Sequence, residues 1–196
     1  MRSADPAPAA VIVRRRARAV AGTVASLAVL PLVLSRLTGG SPWATAPGLV
    51  AGLAAWVLLP DLCQERPPAR RSATVMTART LTGPRSIDLD RITSVRLWTT
   101  FTYGGVQQRT LLVRDVHGVR LGVTTAAGRR ALRVALERQT RDKSPRHRPR
   151  VSPAARACLG GGPRHHLAVH TVMAFLAQVV GLCAYLTVVL KAGGLG

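Results

Sequence analysis

Charge is absent from three long stretches of this chain and crowded into what lies between them. The first charge-free block runs from Ala19 to Ser35, the second from Leu37 to Pro60 and the third from Leu167 to Leu190. Outside them the sequence is strongly basic: 28 Lys+Arg against 8 Asp+Glu give a formal charge of +20. A chain this basic that is also 47% hydrophobic, with 4% aromatics, must keep its apolar and basic parts apart. That pattern argues against a uniform globular enzyme, a disulfide scaffold and a wholly disordered chain.

Each block has roughly the length of a membrane helix. Ala19–Ser35 would span about 26 Å as a helix, near the lower limit for crossing. Arg14, Arg15, Arg16 and Arg18 before it and Arg36 after it can snorkel and extend it. Pro31 predicts a kink. Thr38-Gly39-Gly40-Ser41-Pro42 reads as a turn, with Ser41 as N-cap and Pro42 as the first residue of a second helix ending at Pro60. Trp43 and Trp56 stand towards its ends, where indole rings favour the interface. Gly48 and Gly52, four residues apart, allow close helix packing, within the chain or with a second copy. The third block lies between Arg164 and Lys191, and His170 and Gln178 are its only strongly polar residues. A cleavable signal peptide is the rival for the first block, with Ala44-Thr45-Ala46 as the cleavage site; Pro47 and the second apolar block weigh against it. The expectation is a membrane α-helical protein with a basic tail at 1–18 and three transmembrane helices, at 19–36, 42–60 and 167–190.

Basic residues set the orientation. The amino-terminal tail carries Arg2, Arg14, Arg15, Arg16 and Arg18, and the segment Arg66–Arg164 carries 21 Lys or Arg; the other two connections hold only Arg36 and Lys191. This places the amino terminus and the central segment on the cytoplasmic side of a bacterial inner membrane, and the carboxyl terminus outside.

Within the central segment the hydrophobic period changes. Arg66-Pro67-Pro68-Ala69-Arg70-Arg71 reads as a stiff basic linker. Ala73–Leu81, Ser86–Leu89, Ile92–Thr102, Gln107–Arg114 and Val119–Val123 then have the composition or alternation of strands. Thr82-Gly83-Pro84, Gly104-Gly105 and Asp115-Val116-His117-Gly118 mark turns between them. Five or six antiparallel strands are expected. A helix follows, capped by Thr124 or Thr125, with Leu132, Ala135 and Leu136 as its apolar stripe. Residues 72–140 thus form a cytoplasmic α+β insert, a barrel or sandwich closed by one helix. Residues 141–166, basic and broken by prolines and glycines, read as a flexible linker.

The order of elements over Ala73–Thr140 resembles the bacterial pleckstrin-homology-like domain of small membrane proteins. The resemblance rests on Thr77-Ala78-Arg79-Thr80-Leu81-Thr82-Gly83, on Ile87-Asp88-Leu89-Asp90-Arg91-Ile92-Thr93-Ser94-Val95, on the hairpin from Leu111 to Val119, and on the helix. It implies a seven-stranded fold and a binding or scaffolding role rather than catalysis.

Candidate chemistry is sparse. Asp88-x-Asp90 fits a solvated turn better than a metal or acid–base pair. His166 and His170 share a helix face at a spacing that suits zinc, with His165 beside them, but no Glu lies between them and an interfacial histidine pair fits better. Cys63, Cys158 and Cys183 show no paired spacing. Gly160-Gly161-Gly162 lacks the Lys-Ser/Thr of a phosphate-binding loop. No catalytic residue, cofactor or metal is assigned. The largest signal is the run Arg129, Arg130, Arg133, Arg138, Arg141, Lys143, Arg146, Arg148 and Arg150, a candidate contact with anionic lipid head groups at ~1 kcal/mol per residue. Nucleic acid is not expected, for want of a recognition helix or stacking platform. The expected function is a non-enzymatic interaction module for anionic lipid or a partner protein, with a homo-oligomer as a further option. The alternative is an accessory subunit of a membrane transporter or envelope enzyme.

Overall fold

The computed structural model describes residues 10–39, 50, 64–101, 107–141 and 148–192. The chain divides into two compact units, Met1–Arg16 with Leu62–Thr171, and Ala17–Asp61 with Val172–Gly196. The first is a mixed α/β unit with two sheets; the second is helical.

In the α/β unit, the first sheet is an antiparallel meander in the order β1-β2-β3, formed by β1 (Arg66–Arg71), β2 (Val75–Thr80) and β3 (Gly83–Asp88). The segment expected to be a linker is therefore a strand. It contributes no large apolar side chain, and its two prolines are tolerated because β1 is an edge strand with an irregular register between Arg66 and Arg70. In β2 and β3 alternation decides which residues go inside: Met76, Ala78, Ile87 and, just beyond the strand, Leu89 are buried.

The second sheet has the order β6-β5-β4-β7, from β4 (Ile92–Phe101), β5 (Gln107–Asp115), β6 (Arg120–Val123) and β7 (Arg150–Val151). The first three are antiparallel, as expected. β7 pairs in parallel with Ser94 and Val95, so the sheet is not purely antiparallel. Beyond it, α3 (Pro153–Cys158) begins with Ser152 as N-cap, its side chain accepting from the Ala155 amide, and with Pro153 in the first turn. Ala154 and Ala155 enter the core. The second half of the expected linker is thus ordered, docked through the two alanines and the half-buried Val151, Cys158 and Leu159. Residues 142–147, with Lys143 and Arg146, lie outside the described residues.

Helix α2 (Ala126–Arg141) follows β6. Its buried positions are Gly128, Leu132, Ala135 and Leu136, the stripe predicted by its period together with one glycine. Both sheets, α2 and α3 share one core, in which Val95, Leu111, Val113, Leu121, Val123 and Leu132 are at most 1% exposed. The turn after α3, with Gly160 at φ +83°, leads into α4 (Arg164–Ala192), whose Leu167 packs against the same core.

Within the helical unit, α1 (Ala10–Leu37) contributes its residues from Ala17 and α4 those from Val172. α1 runs without interruption through Pro31 and ends with Thr38, whose amide and hydroxyl both donate to the Leu34 carbonyl, and with Gly39 at φ +64°. The Tyr185 hydroxyl donates to the Ala28 carbonyl at 3.3 Å, and Val24, Ser35 and Val189 are buried. Among the described residues one helix, Arg164–Lys191, is long and apolar enough to cross a membrane, not three. The early part of α1 is built from the arginine cluster, which leaves the shorter apolar piece Arg18–Leu30. The second expected span, with Trp43, Trp56, Gly48 and Gly52, lies outside the described residues except for Val50.

Candidate functional site

The nine basic residues of the expected lipid contact do not form one patch. Successive residues of a helix turn by 100°, and the core-facing stripe of α2 fixes the rest. Arg129, Arg130, Arg133 and Arg141 fall on one flank and the outward side, and Arg138 on the opposite flank. Two of them are held by carboxylates: Arg133 by Glu137 at 3.2 Å, and Arg138 by Asp90 at 3.6 Å, with a further hydrogen bond from Arg138 to the Ala73 carbonyl at 2.9 Å. Arg148 is exposed on the approach to β7, and Arg150 is exposed at the first position of β7, paired with Ser94.

The start of α2 is held from far away in sequence. Thr125 is its cap, with Oγ1 accepting from the Gly128 amide at 3.0 Å. Glu65 Oε1 accepts from the amides of Thr124 and Thr125 at 3.1 and 2.7 Å. A carboxylate that is 6% exposed therefore sits at the positive end of a helix, where both the field and the unpaired amides favour it. Gln64 beside it bridges to Gly122 and accepts from the Gln108 amide nitrogen at 2.9 Å. Gly128 has to be glycine here: a Cβ would meet Val123 Cγ1 at 2.6 Å and Glu65 Oε1 at 3.2 Å. Two other buried charges are structural. Arg85 donates to the Arg120 carbonyl and to Thr82 Oγ1, which ties β3 of the first sheet to β6 of the second. Asp115 accepts from the Val119 amide across the β5–β6 turn.

The outer face of the second sheet carries a cluster that the sequence reading did not single out. Register places Arg114 directly opposite Arg120, and Arg96 opposite Leu112 in the adjoining row. Residues paired across an antiparallel ladder point to the same side. Val95, Leu97, Leu111, Val113 and Leu121 face the core, so Arg96, Arg114 and Arg120 face away from it, and all three are exposed. Trp98, two residues from Arg96 and 50% exposed, continues the same face. Among the described residues none of these arginines forms an ion pair. Alternation along Ile92–Thr102 would have put Arg96 with Trp98; bringing Arg114 and Arg120 beside them requires the register.

The remaining candidates resolve as structure. Asp88 Oδ1 accepts from the Asp90 amide at 2.9 Å, a turn hydrogen bond. His165 and His166 have ring centroids 4.1 Å apart. Among the described residues no group of three His, Cys, Asp or Glu side chains could hold a metal ion. Cys158 packs half-buried against the core and Cys183 is exposed on α4, while Cys63 lies outside the described residues. Comparison of the chain with known families, curated proteins and solved structures gives no match.

Proposed function

We propose that this protein is integral to a bacterial inner membrane, with its α/β unit on the cytoplasmic side, and that this pleckstrin-homology-like unit is a non-enzymatic interaction module for anionic lipid or a partner protein. α4 carries the reading. Its apolar stretch within Arg164–Lys191 is only 6% buried. Val172, Met173, Phe175, Leu176 and Val180 are each 49–65% exposed. Burying a side chain of this kind is worth ~1.5–3 kcal/mol, so leaving five largely uncovered in water forgoes an amount on the order of 5–10 kcal/mol, comparable to a domain's whole stability. Lipid removes that cost. The charge-free blocks at 19–36 and 42–60 are proposed as the other two spans, and the asymmetry of Lys and Arg supports the orientation.

Three features support the module reading: two sheets around one core, a helix following the last strand of the antiparallel meander, and a large basic excess. The first two follow the strands-then-helix order of the pleckstrin-homology-like resemblance, with the seventh strand, β7, coming after the helix and pairing in parallel. The test uses the full chain in its membrane. Alkaline carbonate should leave it in the pellet. In intact spheroplasts a membrane-impermeant thiol reagent should label Ala192→Cys and not Arg130→Cys. Extraction by carbonate refutes membrane integration, and labelling at residue 130 inverts the orientation.

A further inference from the structure

The outer face of the second sheet places three arginines where folding alone gives no reason for them. Arg114 and Arg120 stand directly opposite each other on neighbouring strands, an arrangement in which like charges repel and weaken the ladder. Arg96 adds a third positive charge on the diagonal, one strand over. Among the described residues Arg133 and Arg138 pair with carboxylates and Arg85 is buried against a carbonyl and a hydroxyl, whereas the triad, like Arg79, Arg91, Arg129 and Arg130, forms no ion pair; what sets the triad apart is that its charges are stacked against one another by the register. The triad has no carboxylate among the described residues, and its neighbour on the same face is Trp98, with half of its surface in water.

We infer that Arg96, Arg114, Arg120 and Trp98 form a docking face for the anionic head groups of the membrane that holds this chain. This inference rests on the membrane reading above and gives it a defined surface, distinct from the run of arginines along α2. The chemistry is complementary. Guanidinium groups bind phosphate oxygens through paired N–H donors, and an anionic surface relieves the repulsion that the triad otherwise carries. An indole beside them suits the boundary between head groups and acyl chains, with an apolar ring and one N–H donor. Leu112, half-buried between Arg96 and the β6 backbone, adds apolar surface next to the ring. Tethering by a membrane helix raises the effective concentration of the surface to the millimolar range, so a face too weak to recruit a free domain can still dock a tethered one. Three basic residues at the surface correspond to roughly a hundredfold in the docked-to-free ratio.

The test uses the full chain with Trp43→Phe and Trp56→Phe, so that Trp98 is the only indole, reconstituted in nanodiscs of phosphatidylcholine alone or with phosphatidylglycerol. The inference predicts that Trp98 emission shifts to the blue and becomes shielded from acrylamide only in the anionic discs. Molar salt should reverse both effects, because the Debye length falls to about 3 Å. Arg96→Gln/Arg114→Gln/Arg120→Gln should abolish them, whereas Arg129→Gln/Arg130→Gln on α2 should not. Identical Trp98 emission and quenching in the two discs, with the chain incorporated in both, overturns the docking face and leaves the membrane reading intact. A chain that fails to incorporate at all overturns both. A shift caused by soluble polyglutamate in neutral discs and absent with phosphatidylglycerol overturns it in favour of an acidic protein. The salt reversal is read on the chain with its three arginines in place, so the outcome does not depend on the triple variant folding.

Discussion

Replacing Glu65 by Ala removes the acceptor that holds the α2 N-terminus. Glu65 Oε1 takes two amide hydrogen bonds, from Thr124 and Thr125, at a site that is 6% exposed. A hydrogen bond to a charged group contributes ~1.5–3 kcal/mol, and loss of a helix cap costs ~0.5–2 kcal/mol. Against these stands the desolvation of the carboxylate, which the variant no longer has to bear. Thr125 Oγ1 still caps Gly128 in the variant, so the helix keeps one of its terminal acceptors. A net loss of about 2 kcal/mol in the local opening free energy follows from these terms. At 1.4 kcal/mol per factor of ten that is about a thirtyfold faster exchange. Amide hydrogen exchange by mass spectrometry on the full chain in detergent, following peptides across Thr124–Ala131, reads it directly. Glu65→Gln keeps an oxygen for the same amides and loses only the charge, so about fivefold is expected, from ~1 kcal/mol of charge–dipole interaction. Exchange in Glu65→Ala within about twofold of the parent would refute the reasoning, because the two amides would then have to be satisfied without the carboxylate.

Two further substitutions test the packing around this point. Gly128→Ala should destabilise by ~1–3 kcal/mol although alanine is the better helix former, because the new methyl meets the fully buried Val123 at 2.6 Å; a raised melting temperature by circular dichroism would contradict it. Arg85→Lys keeps the charge but cannot reach both the Arg120 carbonyl and Thr82 Oγ1, and should lower stability by ~1–3 kcal/mol in chemical denaturation.

Part of this fold is written in local sequence signals. The strands β2 to β6 show in composition or alternation, and α2 shows its stripe Leu132, Ala135 and Leu136, because each element buries one face. β1 stayed hidden because an edge strand needs little apolar content, so Arg66–Arg71 looks like a linker. β7 and α3 stayed hidden because they dock through small or partly buried side chains, Val151, Ala154, Ala155 and Cys158, over elements of two and six residues, too short to show a period. Pro31 stands inside α1, which continues past it to Leu37. The charged sites divide the same way. The α2 arginines are contiguous in sequence and easy to see, but two are spent on carboxylates. The cluster of Arg96, Arg114 and Arg120 depends on which residues face each other across three strands, and that register is a property of the folded sheet.

The long reach of Glu65 also bears on the order in which the chain becomes structured during synthesis. Both meanders are local: β1–β3 lies within Arg66–Asp88, and β4–β6 within Ile92–Val123. Each can pair soon after it leaves the ribosome. The contacts that close the unit reach further, 35 residues from Arg85 to Arg120 and 60 from Glu65 to Thr125. At ~5–20 residues per second, the Glu65 carboxylate waits in water for about 3–12 s before its amides exist. Those amides precede α4, which begins only at Arg164. The helix start can therefore be latched before the last apolar segment is translated, and a variant that weakens the latch leaves a looser α/β unit at the moment α4 is made.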